Sequence, residues 1–359
     1  MHRPATPPRA RAAVLLLLSA LVASATLPAR ADEWPQALKT RIEAIDKASP
    51  GSLGVYVKRL DSGESFGYGA DQRWYLASTV KVAVAIALLR QVDDGKLRLQ
   101  QQLTLEESDK VDGSGQVVWT ATGTRFTLDS LLDRMLGVSD NTAANMLIRA
   151  VGEDKLNDIA VEAMGKGNVG RITNFTAIRR QVYAELDEEG AKKLSNRQLV
   201  EIAGATMGPP RVEAARRAMS LERADLEADT IDEAYDRYYA NGANSATMEA
   251  YGAMLEKLVR GKLLSPQSTQ RLFAGMKFGK PGDYRLEAGL PRSVKRIHKT
   301  GTQYRRACHM AVVDPQDGGA HAVVIAACAA DLDDRTEAGG VFQQVGKAVS
   351  ATALADTRK

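Results

Sequence analysis

The residues best suited to do chemistry in this 359-residue chain lie in three short segments. The first is Leu76-Ala77-Ser78-Thr79-Val80-Lys81, which runs directly into the apolar stretch Val82 to Leu89. That pattern predicts a buried helix with Ser78 and Lys81 together in its first turn, since positions three apart share a helical face. A serine hydroxyl is a weak nucleophile until a base takes its proton, and a lysine buried beside it is driven towards the neutral form that can serve as that base. The other segments are Ser139-Asp140-Asn141 and Lys299-Thr300-Gly301. On average composition either tripeptide is expected only about once in several thousand residues, so their joint occurrence with Ser-x-x-Lys points to one site. Each also has a plainer reading alone: Ser139 and Asp140 as caps of a helix beginning at Thr142, Lys299 as an exposed strand lysine, Gly301 as a bulge.

In this order the segments resemble the motifs of the penicillin-recognising serine hydrolases, and within them the class A β-lactamases. Arg73 to Lys81 is similar to the family's approach to its nucleophile helix, and Ser139-Asp140-Asn141-Thr142-Ala143-Ala144-Asn145 to its second motif and the helix that follows. The order of elements can be followed from Leu53 to about Arg180 and again from about Asn244 to the C terminus. The resemblance implies that Ser78 is acylated by a β-lactam or an acyl-D-Ala-D-Ala peptide, with Lys81 as its proton acceptor or the group that tunes it. It implies Ser139 as the proton shuttle to the leaving nitrogen and Asn141 as a ligand of the substrate's amide side chain and a partner of Lys81. Lys299 and Thr300 would hold the substrate carboxylate, and Gly301 would admit substrate to the strand edge. The backbone N–H groups of Ser78 and Thr302 would form the oxyanion hole. No cofactor is implied.

The departure comes after Arg171. A class A enzyme carries on this loop a glutamate that activates the water freeing the acyl-enzyme; aligned by Arg171-Ile172, its position here holds Thr176. Threonine cannot be a carboxylate base. Glu185 follows, but in Glu185-Leu186-Asp187-Glu188-Glu189 it reads as part of a solvated acidic face. Asn145, which in the family helps to hold that loop, is present. The expected acyl-enzyme is long-lived, which leaves three functions open: a divergent β-lactamase, a penicillin-binding D,D-peptidase, and a sensor that binds without turnover.

The elements that must position these residues predict an α+β fold of the β-lactamase/transpeptidase type. A helix from Gln36 to Lys47 precedes strands Leu53–Arg59 and Glu64–Tyr68. Three late strands, Lys295–Thr302, Cys308–Val313 and His321–Cys328, and a final helix from about Thr336 to Ala353 complete an antiparallel five-stranded sheet flanked by terminal helices. Residues 32–70 and 243–359 form this sheet domain; 71–242 form an all-helical domain. Its last part, about 181–242, is an insertion relative to compact members. There Leu194 to Met207 has helical spacing, Pro209-Pro210 breaks it, and Val212 to Tyr239 is charge-rich. Two or three extra helices, as a lid or partner surface, or a mobile excursion are the readings.

Arg3, Arg9 and Arg11, the apolar run Ala12 to Val22, and Ala29-Arg30-Ala31 read as a secretory leader cut after Ala31, which places the protein in a periplasm. Cleavage removes four of the 48 Lys and Arg, which balances the 44 Asp and Glu. A neutral mature chain has no electrostatic signature of a nucleic-acid or membrane-surface binder. The apolar run is too short for a mature membrane span; the resemblance implies a small-molecule β-lactam or a D-Ala-D-Ala peptide as substrate, and a monomer is expected. Cys308 and Cys328 fall on the last hairpin and are read equally as a cross-strand disulfide or two buried thiols. His298, His309 and His321 lack metal-ligand spacing, so no metal site is expected. Trp119 reads as a packed core residue rather than an aromatic wall at the cleft mouth.

Overall fold

The structure, a computed structural model, describes residues 1–2, 33–334 and 336–355. The expected leader lies outside the described residues. Five antiparallel strands form the main sheet in the spatial order Ser65–Tyr68, Ser52–Arg59, Val323–Ala330, Arg306–Val313, Arg296–Gln303. The central strand, Val323–Ala330, is buried along its whole length and carries only apolar residues, as a strand covered on both faces requires. It starts two residues after His321 and runs two beyond Cys328, a shift within the usual uncertainty of element ends.

Alternation along the strands sorts their side chains into two cores. Val55, Val57, Ala311 and Ile325 pack with Leu38 and Ile42 of the helix Glu33–Ala48 and with Phe342 and Val345 of the helix Glu337–Ser350. Cys308, Met310, Val324 and Ala326 face the other way, onto the helices of the middle of the chain. Cys308 and Cys328 are register partners and form a disulfide, which resolves the two readings of the pair.

The helix Lys81–Asp93 runs through the second core, with Val82 to Leu89 all buried. Because it is surrounded on every side it is apolar all round, with no polar stripe. The helices Leu128–Gly137, Asn141–Val151 and Glu153–Met164 pack around it.

Residues 181–242 contain four further helices, Glu188–Lys193, Asn196–Gly204, Pro209–Met219 and Ile231–Ala240, one more than the sequence suggested. Pro209-Pro210 opens a helix as well as separating two, because the first turn needs no intrahelical N–H donor and favours a fixed φ. This stretch is packed: Ile202, Val212, Ala215, Tyr235 and Tyr238 are buried. Among the described residues, no helix is long and apolar enough to cross a membrane.

Candidate functional site

Ser78 lies in a 3-10 turn, Ala77–Val80, and the α-helix begins at Lys81, one turn later than the apolar pattern suggested. The turn is entered through Ala77 at φ 48°, a left-handed conformation seldom adopted by a residue with a side chain. Such backbone strain persists only where the surrounding packing imposes it. Ser78 is half-buried, whereas Lys81 is fully buried at 0 % exposure. Its Nζ lies 3.2 Å from Ser78 Oγ, 3.2 Å from Ser139 Oγ, 2.5 Å from the Ser139 carbonyl and 2.7 Å from Asn141 Oδ1. Burial, then the neighbouring Lys299 charge, hold the Lys81 ammonium well below the usual lysine range. A neutral amine has two N–H donors and one lone pair; Ser139 O and Asn141 Oδ1 can take the donors, leaving the lone pair for the Ser78 hydroxyl.

Ser139 is a second left-handed residue, at φ 60°. That conformation sets its hydroxyl between two lysines, because Lys299 Nζ donates to the same Oγ at 3.0 Å. The capping role expected of both Ser139 and Asp140 belongs to Asp140 alone. Its Oδ1 accepts from the Ala143 N–H at 2.8 Å and its Oδ2 from the N–H groups of Gln116 and Val117 at 2.8 and 3.0 Å. Asn141 Nδ2 donates to the Asp112 carbonyl at 2.8 Å, which fixes Oδ1 towards Lys81.

The strand Arg296–Gln303 closes the far side. Lys299 is buried and also donates to the Thr300 carbonyl at 2.8 Å. Burial first, then Lys277 and Arg285, push its ammonium down to about 7. Gly301 meets the nucleophile turn directly: a Cβ there would lie 2.6 Å from the Leu76 carbonyl oxygen and 3.0 Å from the Ser78 nitrogen. No residue larger than glycine allows this approach without backbone movement. Thr302 is exposed, and its Oγ1 accepts from Arg285 Nη2 at 2.9 Å. Arg285 is buried beneath the strand, donating also to the Gly301 carbonyl at 3.0 Å. Sequence inspection missed it, since nothing local distinguishes one arginine before a strand.

The floor differs from the expected arrangement. The side chain that segment 171–180 turns towards Lys81 is Phe175, whose ring centroid is 4.4 Å from Nζ. Thr176, placed there by alignment, instead accepts from Asn145 Nδ2 at 2.9 Å, while Asn145 Oδ1 accepts the Phe175 N–H at 2.7 Å. Asn174 caps the helix Phe175–Ala184, so its first residue faces inward. A narrow cavity of about 70 Å³ at Ser78 is bordered by Phe175, Arg179, Asn141, Thr302 and Gln303 and by no carboxylate. Glu185 follows the last turn of that helix and does not border it. Trp119, expected in the core, is 71 % exposed; the adjacent Val117 and Val118 take the buried places.

Among the described residues the fold brings together one group of potential metal ligands that spacing did not suggest: Glu287, His298 and His309, with ligand atoms within 4.8 Å of one another. His309 Nδ1 accepts the Leu286 N–H, so a neutral ring keeps its proton on Nε2, where it is donated to His298 Nδ1 at 3.0 Å. Glu287 is paired with Arg296. Burial, then the Arg296 charge, push His298 down to about 3. The two histidines form a buried, hydrogen-bonded pair, with Glu287 Oε2 3.3 Å from His298 Nδ1 and Glu287 Oε1 on Arg296.

Comparison with known proteins agrees with the geometry. The profile of the β-lactamase enzyme family matches residues 37–353. The chain is 27% identical to β-lactamase CTX-M-97 of Escherichia coli over 312 residues, 86% of each chain. Among solved structures, a variant of the last common ancestor of Gram-negative bacteria class A β-lactamase is 27% identical with TM-score 0.64, covering 89% of this chain and 98% of that one. A mutant of PBP-A in acyl-enzyme complex with penicillin G has TM-score 0.64 at 21% identity, covering 89% and 96%, and shares the fold.

Proposed function

Because the chain belongs to the β-lactamase enzyme family and is a serine hydrolase of the class A β-lactamase type, we propose that Ser78 is acylated by β-lactams and that the resulting ester is hydrolysed slowly. The observation that carries the reading is the convergence of Ser78 Oγ, Ser139 Oγ and Asn141 Oδ1 on one buried, deprotonation-prone amine.

In this reading Lys81 accepts the Ser78 proton as Oγ attacks the carbonyl carbon. The N–H groups of Ser78 and Thr302 stabilise the oxyanion, the strand being held close by Gly301. As the C–N bond breaks, Ser139 gives its proton to the leaving nitrogen and regains one from Lys81, 3.2 Å away. Lys299, with Arg285 behind the strand, supplies the positive potential that holds the substrate carboxylate, and Thr300 lies beside it. Hydrolysis of the ester then requires a base beside an attacking water, and Phe175 offers neither a base nor a polar surface.

That same ring favours a second reading: a penicillin-binding D,D-peptidase, whose natural acyl group comes from a peptide ending in D-Ala-D-Ala and whose β-lactam adduct persists. The leader pattern of residues 1–31 supports export to a periplasm, where such peptides occur.

The test is intact-protein mass spectrometry of the mature chain mixed with benzylpenicillin, followed over time, with Ser78→Ala as control. An adduct that lasts from minutes to hours on wild type and is absent from Ser78→Ala is expected. No adduct and no hydrolysis would remove the acyl-enzyme reading. An adduct lost within seconds would mean an efficient β-lactamase with a base outside the Ser78 cavity.

A further inference from the structure

We propose that the inserted helices give this cleft a second subsite, which takes a substrate acyl chain with an apolar stem and a terminal carboxylate. The proposal rests on the acylation of Ser78 and names the substrate class that acylation selects.

A cavity of about 350 Å³ lies between the segment 112–119 and the helices Asn196–Gly204 and Pro209–Met219. It shares Gly113, Arg179 and Gln303 with the cavity at Ser78, so the two adjoin across those residues, where Arg179 Nη1 donates to Gln303 Oε1 at 3.3 Å. Gly113 sits at φ 105°, and a Cβ there would lie 2.4 Å from Asn141 Nδ2; a side chain at this point would press on the group that orients Lys81.

The walls define the occupant. Trp119, Met207 and Tyr304 present apolar surface. Trp119 is largely exposed and offers its ring to an occupant of this cavity. Two cations border the space, and they differ. Arg179 is matched by Asp112, Nε to Oδ1 at 2.7 Å. Arg211 meets only backbone carbonyls: Nε reaches Ala205 O at 2.9 Å, and Nη2 reaches Ala203 O and Ala205 O at 2.8 and 2.5 Å. No described carboxylate forms an ion pair with it, and its Nη1 remains to donate. An anion at the end of an apolar chain completes this site.

The subsite is tied to the catalytic strand and is not a loose flap. Gln303 Nε2 donates to Tyr235 OH at 3.0 Å, and Tyr239 OH donates to the Tyr304 carbonyl at 2.7 Å. Tyr304 OH in turn donates to Asp232 at 2.8 Å. The helix Ile231–Ala240 thus fixes the turn that follows the strand Arg296–Gln303.

The experiment compares two probes, 6-(adipoylamino)penicillanic acid and its side-chain methyl ester, which differ by one charge at the chain end. The rate of Ser78 adduct formation is measured at concentrations well below saturation. Wild type should favour the free acid by about tenfold, the size of one charge-assisted hydrogen bond. Arg211→Gln should bring the ratio near one, and Arg211→Lys should keep part of it. The ratio is the readout, so a general loss of folded protein cancels. Trp119→Ala, at an exposed position that cannot empty the core, should slow both probes. Equal wild-type rates, or a wild-type ratio in Arg211→Gln, would overturn the proposal. If neither probe nor benzylpenicillin labels Ser78, the acylation reading is what fails. In that event the same probes are titrated into Ser78→Ala with tryptophan fluorescence, to which Trp119 contributes the only exposed indole among the described residues. Tighter binding of the free acid supports the subsite; equal affinities overturn it.

Discussion

On the wall formed by Ser78, Ser139 and the strand Arg296–Gln303, the functional side chains are polar and hydrogen-bonded to Lys81 or Lys299, whereas the opposite floor offers the cleft the Phe175 ring and a guanidinium already matched by Asp112. In the proposed reaction the first wall supplies what making an ester needs: Ser78 as nucleophile, an amine at Lys81 whose ammonium burial disfavours, and Ser139 as proton relay. The floor lacks what breaking it needs, a carboxylate able to hold and deprotonate a water. The two halves of the reaction are thus separable in this fold. The floor can change without disturbing the wall, because Asn145 fixes the Phe175 backbone whatever side chain it carries.

The comparison breaks first at the wall. Ser78→Ala should abolish the covalent adduct. Lys81→Met, which fills the same buried space without the amine, should slow acylation by between about a hundred and ten thousandfold, the range for a lost general base. Its melting temperature should change little, since the burial cost of the amine is removed together with the bonds it donates to Ser139 O and Asn141 Oδ1. Acylation by Lys81→Met at the wild-type rate would assign the base elsewhere. Gly301→Ala comes next. Its Cβ would meet backbone atoms of Leu76 and Ser78, so the strand must move and the Thr302 donor with it. A missing oxyanion donor costs about a hundred to a thousandfold, and the loss should appear in the limiting acylation rate at saturation more than in the half-saturating concentration.

The floor is tested by Phe175→Glu, which sets a carboxylate against Lys81 at the position the ring occupies. The adduct should decay about a hundredfold faster, at the lower end of what a positioned base contributes. Acylation should slow as well, because a nearby anion stabilises the Lys81 ammonium. An unchanged adduct lifetime would mean that something other than this position limits hydrolysis.

What could be read from the sequence follows the same division. Ser78, Lys81, Asn141 and Lys299 stand in fixed short segments, and their spacing carried them to one site. The sheet was legible because alternation and apolar runs report burial directly. Phe175 was not, for a physical reason: alignment across a loop fixes a position only to within a residue, and which side chain faces inward is decided by Asn174 capping the helix at that point. Trp119 was misplaced because apolar character predicts burial, and Val117 and Val118 took it. Arg211, just after Pro209-Pro210, and Tyr235, in the charge-rich stretch that follows, lie in an insertion whose pattern shows helices but not their partners. Glu287, His298 and His309 meet only through strand pairing and the turn beneath it, which no local pattern encodes.

The smallest effect sharpens the wall itself, by separating its two lysines. Both are driven below the ordinary lysine range by burial, but they are needed in opposite states. Lys81 must be neutral to accept the Ser78 proton, so acylation should fall as pH drops through its depressed value. Lys299 must be charged to hold a carboxylate, and its value of about 7 means that the charge is lost as pH rises through neutrality. The rate at low substrate should therefore be bell-shaped, with an alkaline limb beginning near 7 and a total fall of about tenfold, one charge-assisted contact. Lys299→Arg keeps its charge at all these pH values, so the alkaline limb should vanish while the acid limb stays. A penicillin whose ring carboxylate is esterified should show the same loss on wild type, because it presents no charge for Lys299 to hold. If the alkaline limb survives both changes, it belongs to another group, and Lys299 acts on Ser139 rather than on the substrate.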